Sequence, residues 1–272
     1  MKKLVICAAA VSVLAVTSAV AADMPVKAPV YKAPVMVPLS WTGWYAGIHA
    51  GYGWGSESNT FNFDPPVPLP FDNVSYSDKL NGFIGGGQIG YNYQITPNSW
   101  VAGVEADISY TNFKGSDSNS GVTPGGGNNN IRFVGGIPWT YNQNQRVNWL
   151  ATVRGRLGWT PGDHTWLIYA TGGLAVGGVK ASDSFTFASP LATLVWNGDA
   201  SQTKVGWTLG GGVEARLMDN WTAKLEYLYY DLGHLTVVGT PNDPTIAFTT
   251  TTDFAFRGNI IRVGLNRKFT SN

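Results

Sequence analysis

The clearest pattern in the chain is the alternation of apolar and polar residues between Trp44 and Trp54. Every second residue in this stretch is apolar, and the intervening residues are small or polar. A period of two indicates an extended strand with one apolar face. The two tryptophans lie ten residues apart on that face. At about 3.3 Å per residue and a tilt near 40°, this spacing spans about 25 Å, the apolar band of an outer-membrane barrel.

The same alternation recurs seven more times and predicts eight strands in total. Short turns alternate with long connections, among them 114–146 and 237–255. The sequence therefore predicts an all-β fold, an eight-stranded antiparallel transmembrane β-barrel with short periplasmic turns and four long extracellular loops. A soluble barrel would place its apolar face inward and would need no aromatic belts. The seven later strands are predicted at about 80–95, 100–113, 147–160, 165–180, 204–217, 221–236 and 256–269.

Aromatic residues recur near both ends of the predicted outward faces. The pairs Trp44/Trp54 and Trp149/Trp159 share the ten-residue spacing. Tryptophan and tyrosine concentrate where a barrel meets the two membrane surfaces. The predicted membrane-interface aromatics are Trp44, Trp54, Phe83, Tyr93, Trp100, Tyr110, Trp149, Trp159, Trp166, Trp207, Trp221, Tyr229 and Phe269.

Charged residues occupy the inward positions of the same strands. An eight-stranded barrel has an interior just wide enough for side chains to fill, and buried charges must pair. We therefore predict a structural charge network and a narrow or closed lumen. Its predicted members are Glu105, Asp107, Arg154, Arg156, Glu214, Arg216, Lys224, Glu226 and Arg262.

The composition and the N-terminal segment define the predicted organisation. Among 272 residues only 13% are charged and 34 are glycine, and no later stretch is apolar for long enough to be a spanning helix. Residues 1–21 are predicted to be a cleaved signal peptide, 22–40 a Pro-rich periplasmic spacer, and 41–272 the barrel. The spacer could alternatively tether the barrel to the cell wall. The only cysteine, Cys7, lies in the signal peptide, so disulfides are excluded from the predicted mature chain.

Candidate chemistry is scarce. The spacing Gly85-x-Gly87-x-x-Gly90 fits a dinucleotide fingerprint, but a strand continues where a helix should begin. The histidines His49, His164 and His234 are far apart in the sequence, and pairing of His234 with Asp231 would only imitate a catalytic pair. We therefore predict no enzymatic activity, no metal, no cofactor and no nucleic-acid partner.

Three segments resemble the alphaproteobacterial outer-membrane immunogenic proteins, a small porin-type family. They are Trp41–Gly47, the glycine-rich Asn81–Tyr93 and the closing Arg262–Phe269. The resemblance implies an outer-membrane protein with a structural and surface-interaction role, in contact with lipid and lipopolysaccharide. A small channel is the alternative, and haem binding by the loops, reported for some relatives, is a further one.

The end of the chain departs from the family pattern. Arg267 stands where an aromatic residue is commoner, and three residues, 270–272, follow Phe269. In the family, a final strand ending in Phe resembles the signal read by the barrel-assembly machinery. The extra residues are expected to weaken that signal without abolishing it.

Overall fold

Eight long antiparallel strands hydrogen-bond into a closed ring. The computed structural model describes residues 40–66, 74–95, 99–123, 126–128, 131–133, 135–162, 164–190, 192–218 and 220–269. The predicted signal peptide and the spacer up to residue 39 lie outside these residues, as do residues 270–272. The ring strands are β1 (Gly43–Asp64), β2 (Val74–Ile95), β3 (Trp100–Val122), β6 (Pro138–Trp159), β7 (Trp166–Ala188), β8 (Thr193–Met218), β9 (Trp221–Pro241) and β10 (Thr249–Phe269), in the order β1-β10-β9-β8-β7-β6-β3-β2.

A separate hairpin lies between β3 and β6 in the sequence. It consists of β4 (Gly126–Asn128) and β5 (Ile131–Phe133). In the described part of the chain, no helix is long and apolar enough to cross a membrane.

The strands are longer than the alternation predicts. They run for 21 to 26 residues, and much of the predicted loop 114–146 belongs to β3 and β6. The prediction of a loop is therefore wrong for residues 114–122 and 138–146, which belong to strands. Inward apolar residues such as Phe185 and Val237 continue the alternation past the aromatic rows and are buried inside the barrel. Their burial favours strand over loop even where the outward face has turned polar.

The two ends of the barrel differ. At one end only a few residues separate consecutive strands, such as the four between β2 and β3, and we call this the turn end. At the other, the extended end, the strands rise well beyond the apolar band of the outer surface. The thirteen predicted aromatics all lie on the outward face, in a row near each edge of that band. Trp44 pairs with Phe269 in the turn-end row, and Tyr110 pairs with Trp149 in the other.

Side chains fill the barrel interior in successive layers. Above a charged layer near the turn end lies an apolar layer, in which Phe113 stacks on Tyr230 with ring centroids 6.2 Å apart. An aromatic layer closes the extended end. There Phe61 of β1 stacks on Phe185 of β7, with centroids 5.4 Å apart, although these strands stand on opposite sides of the ring. The two opposite walls are therefore in contact at this level.

Asp183 lies between the apolar and aromatic layers, above the apolar band. The residue is only 6% exposed, and its carboxylate accepts a hydrogen bond from the hydroxyl of Thr252. Burial raises the pKa of Asp183 to about 6, and the bond from Thr252 offsets only part of this effect.

This raised pKa predicts a pH dependence of stability. Between about pH 4 and pH 7 the folded protein binds more protons at Asp183 than the unfolded chain does, so the free energy of unfolding should fall as the pH rises. A shift of about two units corresponds to at most about 3 kcal/mol. Urea titrations in detergent micelles should show this decline, and Asp183→Asn should flatten it. An unchanged slope in the variant would contradict the assignment.

Candidate functional site

A cluster of buried charges occupies the barrel interior near the turn end, and we call it the charge network. It contains four cations and four carboxylates, so its formal charges cancel. Each of these side chains is at most 3% exposed. The members are Glu105, Asp107, Arg154, Arg156, Glu214, Lys224, Glu226 and Arg262.

Two arginines each bind several carboxylates. Arg154 of β6 lies 2.5 Å from Glu105, 3.0 Å from Asp107 and 3.1 Å from Glu226. Arg262 of β10 lies 2.6 Å from Glu226 and 3.2 Å from Asp107. The planar guanidinium group carries five N–H donors, which suits it to several carboxylates at once. The two arginines thus hold β3, β9 and their neighbours in one register.

Other members of the network cross the whole lumen. Lys224 of β9 donates to Glu105 of β3 at 2.8 Å, and these strands stand on opposite sides of the ring. Arg156 lies 2.7 Å from Glu214, and its guanidinium lies 4.0 Å from the ring centroid of Tyr169. The lumen at this level is therefore occupied by ion pairs.

Arg216 does not join the network, although the sequence pattern grouped it there. It lies nearer the turn end, where its guanidinium donates to the backbone oxygen of Ser40 at 2.5 Å and stands 4.7 Å from the ring of Trp41. Arg216 lies beyond Glu214, the last inward carboxylate of β8 before the turn end, so Glu214 attracts it without forming an ion pair within 4.0 Å. The contact with Ser40 instead ties the start of the barrel to β8.

Uncharged hydroxyl and amide groups complete the network, and they are not among its members predicted from the sequence. The Tyr45 hydroxyl donates to Glu105 at 2.7 Å, and that of Tyr169 donates to Glu226 at 2.9 Å. Thr222 and Asn266 donate to Glu214 at 2.5 and 2.9 Å. The inward positions of these residues along their strands could have predicted their place in the network. Tyrosine is the hardest of them to predict there, because in a membrane barrel it is commonly an apolar or interfacial residue.

Glycines provide the room for these long side chains. Gly90 faces Glu105 across the β2–β3 pair, and a Cβ at position 90 would lie 2.3 Å from the hydroxyl oxygen of Tyr45. A Cβ at Gly212 would likewise lie 2.8 Å from the hydroxyl oxygen of Tyr169. The spacing that formally fits a dinucleotide fingerprint therefore includes a glycine that accommodates Tyr45.

Apolar groups border the charge network on both sides. Toward the extended end lies the layer that contains Phe113. Toward the turn end, Trp41 packs with Val101, Leu167 and Tyr169, and its indole N–H donates to the backbone oxygen of His164 at 2.9 Å. Because water-excluding layers strengthen electrostatic interactions, this enclosure increases both the attraction between the pairs and the cost of leaving one charge unpaired.

The three histidines lie at separate places. His49 borders the charge network, 2.8 Å from the Ser109 hydroxyl and 3.3 Å from Arg262. His164 lies in a turn, and its ring contacts Thr160 at 2.7 Å. His234 is exposed on β9 and lies 3.1 Å from Asp253 rather than pairing with Asp231. No group of three or more potential metal ligands comes together within the residues that the structure describes.

A closed antiparallel ring with an apolar outer band, two aromatic rows and a charged interior defines an outer-membrane β-barrel. The family model for the outer membrane protein beta-barrel domain matches residues 8–269. The chain belongs to this family, and the protein resides in the outer membrane.

Curated relatives support the same assignment. The 31 kDa outer-membrane immunogenic protein of Brucella melitensis is 37% identical over 96% of this chain and 98% of its own length. The 22 kDa outer membrane protein of Rhizobium leguminosarum is 32% identical over 74% of this chain and 68% of its own. Among solved structures, Neisserial surface protein A covers 84% of this chain and 98% of its own, at 12% identity and a TM-score of 0.33, and adds nothing further.

The network predicts a large penalty for removing one cation. Arg154→Ala would leave Glu105, Asp107 and Glu226 with one shared partner fewer in a dry interior, and should lower the free energy of unfolding by about 3–5 kcal/mol. The control Arg146→Ala, at an exposed position of the same strand, should cause no comparable loss of stability. Urea titration of both variants in detergent would measure the difference, and equal losses would contradict the structural role of the network.

Proposed function

We propose that this protein is a closed structural barrel of the outer membrane, which supports envelope integrity and presents its extended end for surface interactions. The observation that carries this proposal is the occupation of the lumen by contacts between opposite walls. Lys224 meets Glu105 in the charged layer, and Phe61 meets Phe185 in the aromatic layer. A barrel whose walls are joined at several levels serves better as a rigid support than as a passage.

The proposed orientation places the turn end in the periplasm and the extended end outside the cell. Bacterial outer-membrane barrels have short periplasmic turns and longer extracellular hairpins. The strand ends beyond the apolar band would then form the exposed surface, including the segments around β4 and β5 and between Pro241 and Thr249. The signal peptide at 1–21 and the spacer at 22–40 would direct the chain to the periplasm and leave the spacer there.

A narrow ion channel is the second candidate, favoured only by the charges inside the lumen. Those charges are balanced and paired at 2.5–3.4 Å in their main contacts, and apolar layers border them. An ion entering this layer would have to break several ion pairs at once and cross the apolar groups without water. This cost supports the closed barrel over the channel.

Planar-bilayer recordings separate these two functions. The wild-type barrel should give no steady single-channel openings, whereas a general porin inserted in the same bilayer supplies the positive control. Unboiled and boiled samples on a gel should differ in mobility, which verifies that the silent protein is folded. Steady openings that change in Arg154→Ala or Glu105→Ala would refute the closed barrel.

We further propose that lipopolysaccharide and outer-leaflet lipid surround the barrel, and that the barrel-assembly machinery inserts it by reading the final strand. β10 ends in the exposed aromatic Phe269, next to Trp44 of β1, which suits the terminal signal implied by the family resemblance. Haem binding by the outer surface receives less support, because exposed His234 already pairs with Asp253.

Catalysis is not part of the proposed function. The contact between His234 and Asp253 lies on the exposed outer surface, and 61% of the histidine side chain is accessible. The purified barrel should therefore release no fatty acid from phospholipid vesicles above the level of a boiled sample. Release that disappears in His234→Ala would overturn this proposal.

A further inference from the structure

A row of cations crosses the outward face of the barrel just beyond the aromatic row at the extended end. Lys114 of β3 stands directly opposite Arg146 of β6, and Arg146 stands directly opposite Lys180 of β7. Lys79 of β2 lies two residues beyond Asn81, the cross-strand partner of Lys114. All four side chains are exposed. We call these four residues the basic row.

The basic row carries an electrostatic cost that the described side chains do not remove. Like charges directly opposite in a sheet are destabilising, because their Cβ atoms are only about 5 Å apart. None of the described carboxylates lies within 4.0 Å of any of these four cations. In the strand register, Asp199 of β8 stands opposite Ser182, two residues beyond Lys180, and the pair of Glu57 and Asp78 adjoins the pair of Ser56 and Lys79. An external anion would relieve this repulsion.

The surface around the basic row is concave and polar. It encloses a cavity of about 600 Å³, which all four cations line. The wall also contains one carboxylate, Asp199. Other groups of the wall are suitable donors to phosphate oxygens: Asn81, Ser116, Asn144, Ser182 and Ser201. Because four cations outnumber this single carboxylate, the cavity suits an anionic group with several oxygen atoms.

The height of the basic row matches the headgroups of the outer leaflet. Tyr110 and Trp149 pair in the aromatic row, and toward the extended end Lys114 lies four residues after Tyr110 and Arg146 three residues before Trp149. Projected on the membrane normal, this displacement is about 8–10 Å, just beyond the roughly 5–8 Å of headgroup region that borders the hydrocarbon core on each side. The long side chains of Lys114 and Arg146 reach back across this difference. The opposite wall differs, since Arg257 of β10 stands there at a similar height without a cationic cross-strand neighbour.

We propose that the basic row binds the phosphate groups of a phosphorylated glycolipid in the outer leaflet, of the lipid A type. Its acyl chains would lie against the apolar band below, beside the exposed side chains of Ile108 and Val153. This assignment rests on the proposed outward orientation of the extended end. It gives the barrel one lipid-binding wall, formed by β2, β3, β6 and β7.

Native mass spectrometry of the folded barrel in detergent tests this proposal. Wild-type protein should retain bisphosphorylated lipid A and release it as the ionic strength rises, whereas dephosphorylated lipid A should bind at least 10-fold more weakly. Equal retention of the two lipids would overturn the proposal. So would preferential capture of inorganic phosphate or of soluble heparin over lipid A, because either result would point to a site without a lipid anchor.

A matched pair of double variants locates the site. Arg146→Gln/Lys180→Gln should weaken retention of lipid A by about 10- to 30-fold, since each cation near the headgroups contributes about 1 kcal/mol. Arg257→Gln/Arg267→Gln removes the same charge from β10, on the opposite side of the ring, and should leave retention unchanged. Equal losses in both variants would overturn the assignment to the basic row.

Two controls keep this result separate from the proposed function. Heat-modifiable gel mobility establishes that each variant is folded, and the lipid comparison on wild-type protein stands even if a variant is not. Because the basic row lies on the outer face, its substitution should leave bilayer recordings silent. A variant that loses lipid A binding but still gives no channel openings would show that lipid binding and closure of the barrel are separate properties. Channel openings in wild-type protein would refute the closed barrel without affecting the lipid measurement.

Discussion

The pairing of charges buried inside the barrel is the interaction on which the rest of the structure depends. Because the four cations and four carboxylates are at most 3% exposed, each of them needs its partners, and so each fixes the position of several others. Arg154 and Arg262 join carboxylates from β3 and β9, and these contacts fix strand register from within the ring. The glycines facing the network follow from the same requirement, because a side chain at Gly90 would displace Tyr45 from Glu105.

The outward face follows a different rule from the interior. Between the aromatic rows it is apolar because lipid surrounds it, and beyond them it turns polar and charged. The interior keeps its buried apolar and aromatic groups past that boundary, up to Phe61 and Phe185. The upper barrel is thus an ordinary water-exposed sheet outside and a packed core inside, whereas the lower barrel is apolar outside and charged inside.

The lower half was predictable from the sequence, and much of the upper half was not. Between Trp44 and Trp54 both faces of the strand obey a strict alternation, so strand, outward face and aromatic row follow from sequence alone. Beyond Val179 the outward residues include Lys180, Ser182 and Ser184, which resemble loop composition, while strand formation depends on tertiary burial of Phe185. The charged members of the network could be predicted from the alternation of inward and outward residues along each strand. The separate position of Arg216 could not, because this alternation shows which side of the sheet a residue faces but not which charges lie at the same height in the barrel.

The pairing of the first and last strands bears on how the molecule is made. Trp44 of β1 lies opposite Phe269 of β10, so the ring acquires its final seam only after the whole polypeptide has been delivered. The charge network has the same dependence, since Arg262 is supplied by the last strand to partners on β3 and β9. Until then, three of its carboxylates lack a cation that they share in the finished barrel. A chain that lacks β10 would therefore have neither a closed wall nor a neutral interior.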